Sequence, residues 1–325
     1  MQKTLRLLAV LLGVQLLMAL ALSQSGPGLA TANDREPLIQ LASERINRIT
    51  LEGPDDARLT LAREADNWQL PELENFPADS QRVKRLIEQL TTLRPGLTVA
   101  SSGGARERFK VSEERFERRI TLADGDETLA TLYLGSSPGR NRIHARLADQ
   151  DEIRTLELAA YEVPVSRSDW EDKTVLQLPE EQISTIQLDG LKLERQASDW
   201  RANDLKEGEV LDTEAADKLA RQLANLRIGQ VLGQTPQPEY GLEEPALDLT
   251  LTRQDGTQVT YRLGKQSDQD SYTLKVSNRP EYFSIPSFTA SSLIEVASQR
   301  DKLITPATTA DPADPDQQTP TQEAS

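Results

Sequence analysis

Asp and Glu number 52, yet little in this chain is arranged for acid–base, nucleophilic or metal chemistry. His144, in "GRNRIHARL", is the single histidine, and the chain has no cysteine. A Ser-His-Asp arrangement or a histidine zinc site would rest on that one ring, whereas such sites draw on several cooperating groups. Thiolate nucleophiles, disulfides and Cys-based metal sites are excluded. Adjacent carboxylates occur at Glu113-Glu114, Glu180-Glu181 and Glu243-Glu244. The two carboxyls of a glycosidase pair face a sugar across a cleft, about 5–10 Å apart, but sequence neighbours on a strand point to opposite faces. These pairs therefore read as solvated loop charges.

Phosphate chemistry fares no better. "LGKQS" from Leu263 resembles the end of a P-loop, yet Val259 stands where that motif needs glycine. "GSSPGR" from Gly135 is rich in Gly and Ser, as phosphate loops are, but it falls between strands and reads as a hairpin loop. Trp68 and Trp200 stand at equivalent points of two similar segments. An exposed pair would suit stacking on sugar rings; the reading taken here is that both are core anchors at strand ends. Arg106, Arg108, Arg115, Arg118 and Arg119 form a basic run that alternates with Glu107, Glu113, Glu114 and Glu117, as a self-paired solvated face does. No catalytic residue, cofactor-binding residue or metal ligand is assigned, and no cofactor is expected.

The elements that would position a site come in two similar series. "VKRLIEQLTTLR" from Val83 and "ADKLARQLANLR" from Ala216 share Leu86/Leu219, Gln89/Gln222, Leu90/Leu223, Leu93/Leu226 and Arg94/Arg227. Around them, "INRITL" pairs with "ISTIQL", "LTLAR" with "LKLER", "DNW" with "SDW", "ITLADGD" with "LTRQDGT", "LYLG" with "YRLG" and "EDKTVL" with "RDKLIT". Order and spacing hold over nearly the whole body, which reads as an internal duplication. Leu59/Leu61 and Leu191/Leu193 alternate as half-buried strands do. Val83, Leu86, Ile87, Leu90 and Leu93 fall at helical spacing, as do Ala216, Leu219, Ala220, Leu223 and Leu226. Asp79 or Ser80, and Asp212 or Thr213, suit the helix starts. Asp189-Gly190 predicts a type I′ hairpin turn, and Asp124-Gly125 and Asp255-Gly256 predict further hairpins. Each copy is thus predicted as β-β-α-β-β-β-β with a closing helical turn. The fold class is α+β, with two tandem repeats, each an antiparallel sheet packed on one main helix.

The ends differ from the body. "MQKTLRLLAVLLGVQLLMALALSQSG" places Lys3 and Arg6 before an apolar run from Leu7 to Leu22, and acidic residues follow. This order predicts a retained membrane anchor with the body exported to the periplasm. Cleavage as a signal peptide near Ala19-Leu20-Ala21 is the alternative. The expected organisation is a signal or anchor segment over 1–24, a linker over 25–37, repeats over 38–173 and 174–304, and a disordered acidic tail over 305–325. The net charge of −15 opposes nucleic acid and broad contact with anionic lipid. The expected partners are the membrane, through the N-terminal segment, and an envelope protein.

The strand pair running into Asn/Asp-Trp, the capped helix ending in Leu-x-x-Leu, the Tyr240-Gly241-Leu242-Glu243-Glu244-Pro245 box, the Asp-Gly hairpin with its following Leu-Gly and the terminal Asp-Lys are similar to a bacterial family built on a domain of unknown function (DUF4340). The first copy departs from the box, with Phe109-Lys110-Val111 in its place. The resemblance implies an N-terminally anchored envelope protein, associated with ABC transporters of the gliding-motility type, and carries over no catalytic residues. Together the readings give a non-enzymatic binding or scaffolding module. Its candidate partner-binding residues are Arg108, Tyr240, Glu243 and Glu244, on loops expected to line a groove. The alternative is a carbohydrate-binding or cell-wall-modifying protein using paired Trp or Glu residues.

Overall fold

A computed structural model describes residues 36–306, apart from 268, 269, 298 and 299, together with residue 15. The anchor segment, apart from residue 15, the linker before residue 36 and the tail beyond residue 306 lie outside the described residues. Among those described, no helix is long and apolar enough to cross a membrane. The chain divides into two compact units, Met1–Glu171 and Asp172–Ser325.

In the first unit, alternation and short turns produce nine strands: β1 (Arg48–Glu52), β2 (Arg58–Glu64), β3 (Asn67–Leu70), β4 (Phe76–Pro77), β5 (Thr98–Ala100), β6 (Arg118–Asp124), β7 (Glu127–Leu134), β8 (Ile143–Leu147) and β9 (Ile153–Leu156). They form one antiparallel sheet in the order β4-β3-β2-β1-β6-β7-β8-β9-β5. Two helices interrupt them, α1 (Ser80–Thr92) and the short α2 (Gly103–Phe109).

The second unit holds β10 (Ile183–Leu188), β11 (Leu191–Gln196), β12 (Asp199–Ala202), β13 (Glu209–Leu211), β14 (Gln230–Gly233), β15 (Leu247–Arg253), β16 (Gln258–Lys265), β17 (Ser271–Val276), β18 (Tyr282–Pro286) and β19 (Ile304–Pro306). Its main sheet runs β12-β11-β10-β15-β16-β17-β18-β14, and β13 pairs with β19 beside it. Its helices are α3 (Thr213–Ala224), α4 (Ser287–Ala297) and the short α5 (Arg300–Leu303).

The fold class is mixed α+β with antiparallel sheets. The predicted element order needs correction: four strands rather than two precede each main helix, and five strands of the main sheet rather than four follow it. Asn67-Trp68 and Asp199-Trp200 open β3 and β12 rather than closing a strand pair. The preceding reversals pass through Ala65 (φ 52°) and Ala197 (φ 56°), in the left-handed region. Alanine gives no turn signal there, because glycine or asparagine is the residue that region favours. The type I′ turn at Asp189-Gly190 is also corrected: Gly190 has φ 65°, while Asp189 is not among the positive-φ residues, and type I′ needs both. The segment carrying Arg108 is helical, whereas the series above placed a strand-rich stretch there.

The main helices form for the reasons their sequences announce. Asp79 accepts a hydrogen bond from the Arg82 amide at 3.0 Å, and Asp212 accepts from the Ala215 amide at 3.0 Å. α1 buries Val83, Leu86, Ile87 and Leu90, and α3 buries Ala216, Leu219, Ala220, Leu223 and Ala224. The sheets supply the other half of each core. In β15 and β16, Leu247, Leu249, Leu251, Val259, Tyr261 and Leu263 face inward, while Asp248 and Arg262 pair across the solvent face at 2.8 Å.

The repeated glutamines lie off the apolar stripe yet have partners. Gln89 donates to Glu162 at 2.7 Å, and Gln222 donates to Ser292 at 2.7 Å, tying each helix to the segment that closes its unit. Leu223, fully buried, should cost about 2–5 kcal/mol when cut to Ala. Gln222→Ala should cost about 0.5–1.5 kcal/mol, the net worth of one hydrogen bond. Urea unfolding of both variants checks the order, and equal losses would contradict it.

Candidate functional site

The box at Tyr240 is the most distinctive stretch of the second unit, and its geometry shows what it does. Pro238–Tyr240 is a single 3-10 turn that Gly241 ends with φ 64°. The reversal presses the Tyr240 and Gly241 carbonyl oxygens onto Gly264 in β16. A Cβ on Gly264 would sit well under 3.0 Å from both, and one on Gly241 would collide with the Lys265 carbonyl. The Tyr-Gly of the box and the Leu-Gly of "YRLG" are therefore two halves of one backbone contact.

The first unit makes the corresponding contact with other residues. Lys110, at φ 57°, takes the left-handed position, and the Phe109 and Lys110 carbonyls lie on Gly135 in the same way. The Ser136 amide donates to the Phe109 carbonyl at 2.9 Å, as the Ser267 amide donates to Glu239 at 3.3 Å. The Lys110 ammonium is paired with Glu117.

Of the candidate partner-binding residues, Tyr240 is nine-tenths buried and its ring packs 5.1 Å from that of Tyr282. Burial pushes its hydroxyl pKa up, and Glu239 adds to the effect. Glu243 and Glu244 are exposed on the loop that follows. Arg108 is exposed at the end of α2, with its guanidinium 4.6 Å above the Phe109 ring.

The remaining candidates are accounted for locally. His144 is 8% exposed on β8; its Nδ1 lies 2.8 Å from the Ser136 carbonyl, where it donates, and its ring lies 4.3 Å from Phe109. Trp68 and Trp200 are both 2% exposed, so neither offers a face to a sugar. Each is covered by the arginine directly across the hairpin, Arg63 at 5.8 Å and Arg195 at 4.8 Å. Glu180 is tied to Arg195 at 2.8 Å.

The basic run does not pair with the neighbouring glutamates as its alternation predicted. Arg119 grips Glu52 on the adjacent strand, Arg106 meets Asp151, and Arg118 donates to the Val163 and Glu117 carbonyls. The Glu52 carboxylate raises the Arg119 pKa, with burial opposing it. Among the described residues no group of three or more His, Asp or Glu could hold a metal ion.

Sequence reading missed a cleft in the first unit. The β7–β8 loop is braced by Ser137, whose Oγ lies 2.7 Å from the Gly139 carbonyl and 2.6 Å from that of Arg142. It lines a cleft of about 680 Å³ with Ser136, Ser137, Arg140, Asn141 and Arg142, together with Tyr161 and the paired Lys110 and Glu117. Tyr161 is 71% exposed, and its hydroxyl donates to Asn141 Oδ1 at 3.4 Å. Arg140 and Arg142 are exposed and, among the described residues, have no ion-pair partner within 4.0 Å. The available signal was "GSSPGRNR", read as a loop; Tyr161, twenty residues away, completes the cleft.

Comparison with known proteins finds that residues 68–245 match the family model described as Domain of unknown function (DUF4340). No curated protein and no solved structure matches the chain.

Proposed function

The chain belongs to the DUF4340 family, and from that premise we propose that it is a non-enzymatic binding or scaffolding module of the cell envelope. In this reading the N-terminal apolar segment holds the body at the inner membrane, facing the periplasm. The module serves a membrane partner there, an ABC-type transport assembly being the one the family resemblance implies. The anchor raises the local concentration of the body for such a partner.

The observation that carries this reading is the use to which the signature residues are put. Tyr240, Gly241 and Gly264 are spent on a backbone contact, and the capping aspartates and paired tryptophans are spent on the core. The signature thus builds a rigid platform and leaves the exposed end of α2 at Arg108 and the loop at Glu243-Glu244 to vary in what they hold. The proposal includes duplication: the two main sheets follow the same order from the third hairpin strand to the edge strand after the helix, which supports two copies of one fold.

The test is purification of the full chain from membranes in mild detergent after crosslinking. A defined partner should accompany the wild type. The combined variant Arg108→Glu, Glu243→Lys, Glu244→Lys should lose most of it while keeping wild-type amide protection. Recovery of the wild type alone, crosslinked or not, would overturn the reading.

A further inference from the structure

The cleft between the β7–β8 loop and Tyr161 combines two unpaired guanidiniums, a side-chain amide, two serines and an exposed aromatic ring, with the paired Lys110 and Glu117 on its wall. An unpaired arginine presents a planar fork of donors that matches carboxylate and phosphate oxygens. An exposed tyrosine beside it offers apolar area with little conformational entropy to lose. The loop that carries the arginines is held by the Ser137 contacts and by the Gly139–Arg142 bridge, so the site is preformed.

The surroundings decide between anions. Glu157 and Glu162 line the adjoining cleft of about 380 Å³ with the same Arg140, Asn141 and Arg142. Three cations, Lys110, Arg140 and Arg142, against three carboxylates, Glu117, Glu157 and Glu162, leave the region near neutral. That balance opposes a phosphate dianion more strongly than a single carboxylate. An anionic membrane surface is recognised by clusters of several basic residues, and the chain as a whole carries −15. We infer that this cleft binds a carboxylate-bearing, partly apolar peptide segment, with Arg140 and Arg142 gripping an Asp, Glu or terminal carboxylate and Tyr161 covering the adjoining apolar side chain. Neither Arg108 nor Glu243 lines the cleft, so its failure leaves the scaffold reading standing.

The experiment is fluorescence anisotropy with the full chain in detergent and a labelled Ala-Phe-Asp-Phe-Ala peptide, amidated at its C-terminus so that it carries a single carboxylate. Binding should be saturable. Arg140→Glu with Arg142→Glu should weaken it about tenfold or more, the loss of a charge-assisted double contact. Tyr161→Ala should weaken it several-fold, and Arg85→Glu, an exposed arginine on α1 outside the cleft, should leave it unchanged. Glu157→Gln with Glu162→Gln should open the site to inorganic phosphate, which should compete poorly against the wild type. The arginine pair lies in an exposed loop, and circular dichroism on each variant separates lost binding from lost folding. The proposal is overturned if the peptide binds the double-reversal variant as it binds wild type, or if phosphate displaces it from wild type at low concentration. It is also overturned if phosphatidylglycerol vesicles, and not the peptide, depend on Arg140 and Arg142.

Discussion

Gly264→Ala should destabilise the second unit by about 3 kcal/mol or more, an effect usually reserved for a disrupted core. The added methyl would meet two main-chain carbonyl oxygens, those of Tyr240 and Gly241, well under 3.0 Å away. A clash with the end of a flexible side chain is relieved by a rotamer change. Here the neighbours are backbone, held by the Gly241 turn and by the hydrogen bond from Ser267 to Glu239, so the strand and the box have to separate. In hydrogen exchange the amides of β15 to β18 should lose protection. Gly135→Ala should act in the same way in the first unit, where the opposing oxygens belong to Phe109 and Lys110.

A comparison isolates the cause. Gly125 sits at φ 60° with open space around its missing side chain. Gly125→Ala therefore carries the conformational penalty alone, about 1 kcal/mol. Gly264 lacks a positive φ, so its penalty is steric. If urea midpoints showed the two substitutions to be equally costly, the packed-carbonyl account would be wrong.

This contact also marks how far the sequence could be read. Its two halves were visible as separate motifs, "YGLEEP" and "YRLG". Their union is tertiary, because the chain runs from Gly241 through the whole β15–β16 hairpin before Gly264 returns to it. Local chemistry was legible: Asp79 and Asp212 cap the helices they precede, and the leucine stripes of α1 and α3 face the core. The hairpins at Ala65 and Ala197 were not, because alanine in the left-handed region leaves no compositional trace. Gln89 and Gln222 are visible in the sequence as repeated residues. Their partners, Glu162 and Ser292, are seventy or more residues further along the chain, beyond the reach of helical periodicity. The cleft at Arg140 was hidden for the same reason, since the loop was read alone and Tyr161 belongs to another segment.

Arg146→Met is expected to cost the first unit about 3 kcal/mol or more, although the substitution adds apolar character at a buried position. Arg146 lies on β8 with 3% of its surface exposed. Its Nε donates to the Val111 carbonyl at 2.9 Å, and its Nη1 lies within 3.0–3.1 Å of the Leu147, Ala148 and Gln150 carbonyls. The guanidinium stands 4.9 Å from the centre of the Tyr133 ring. Burial lowers its pKa and Arg106 lowers it further, yet a guanidinium stays charged over the working range of a protein. The charge is therefore held mainly by carbonyl dipoles and an aromatic face. Methionine would fill much of the volume and leave those oxygens without their donor.

Arg146→Lys should recover part of the loss, because an ammonium reaches some of the oxygens but lacks the fork that spans Val111 and the 147–150 turn. Lys275 of β17 shows the limited version of this role. It donates at 2.6 Å to the Arg279 and Pro280 carbonyls of the turn that follows it, beneath the ring of Tyr282. The expected order of urea midpoints is wild type, then Arg146→Lys, then Arg146→Met, with the amides around Ala148 to Gln150 exchanging fastest in the last. Were Arg146→Met to unfold at the wild-type midpoint, the buried guanidinium would be dispensable packing rather than the clasp that holds Val111, and with it the turn at Lys110, to the sheet.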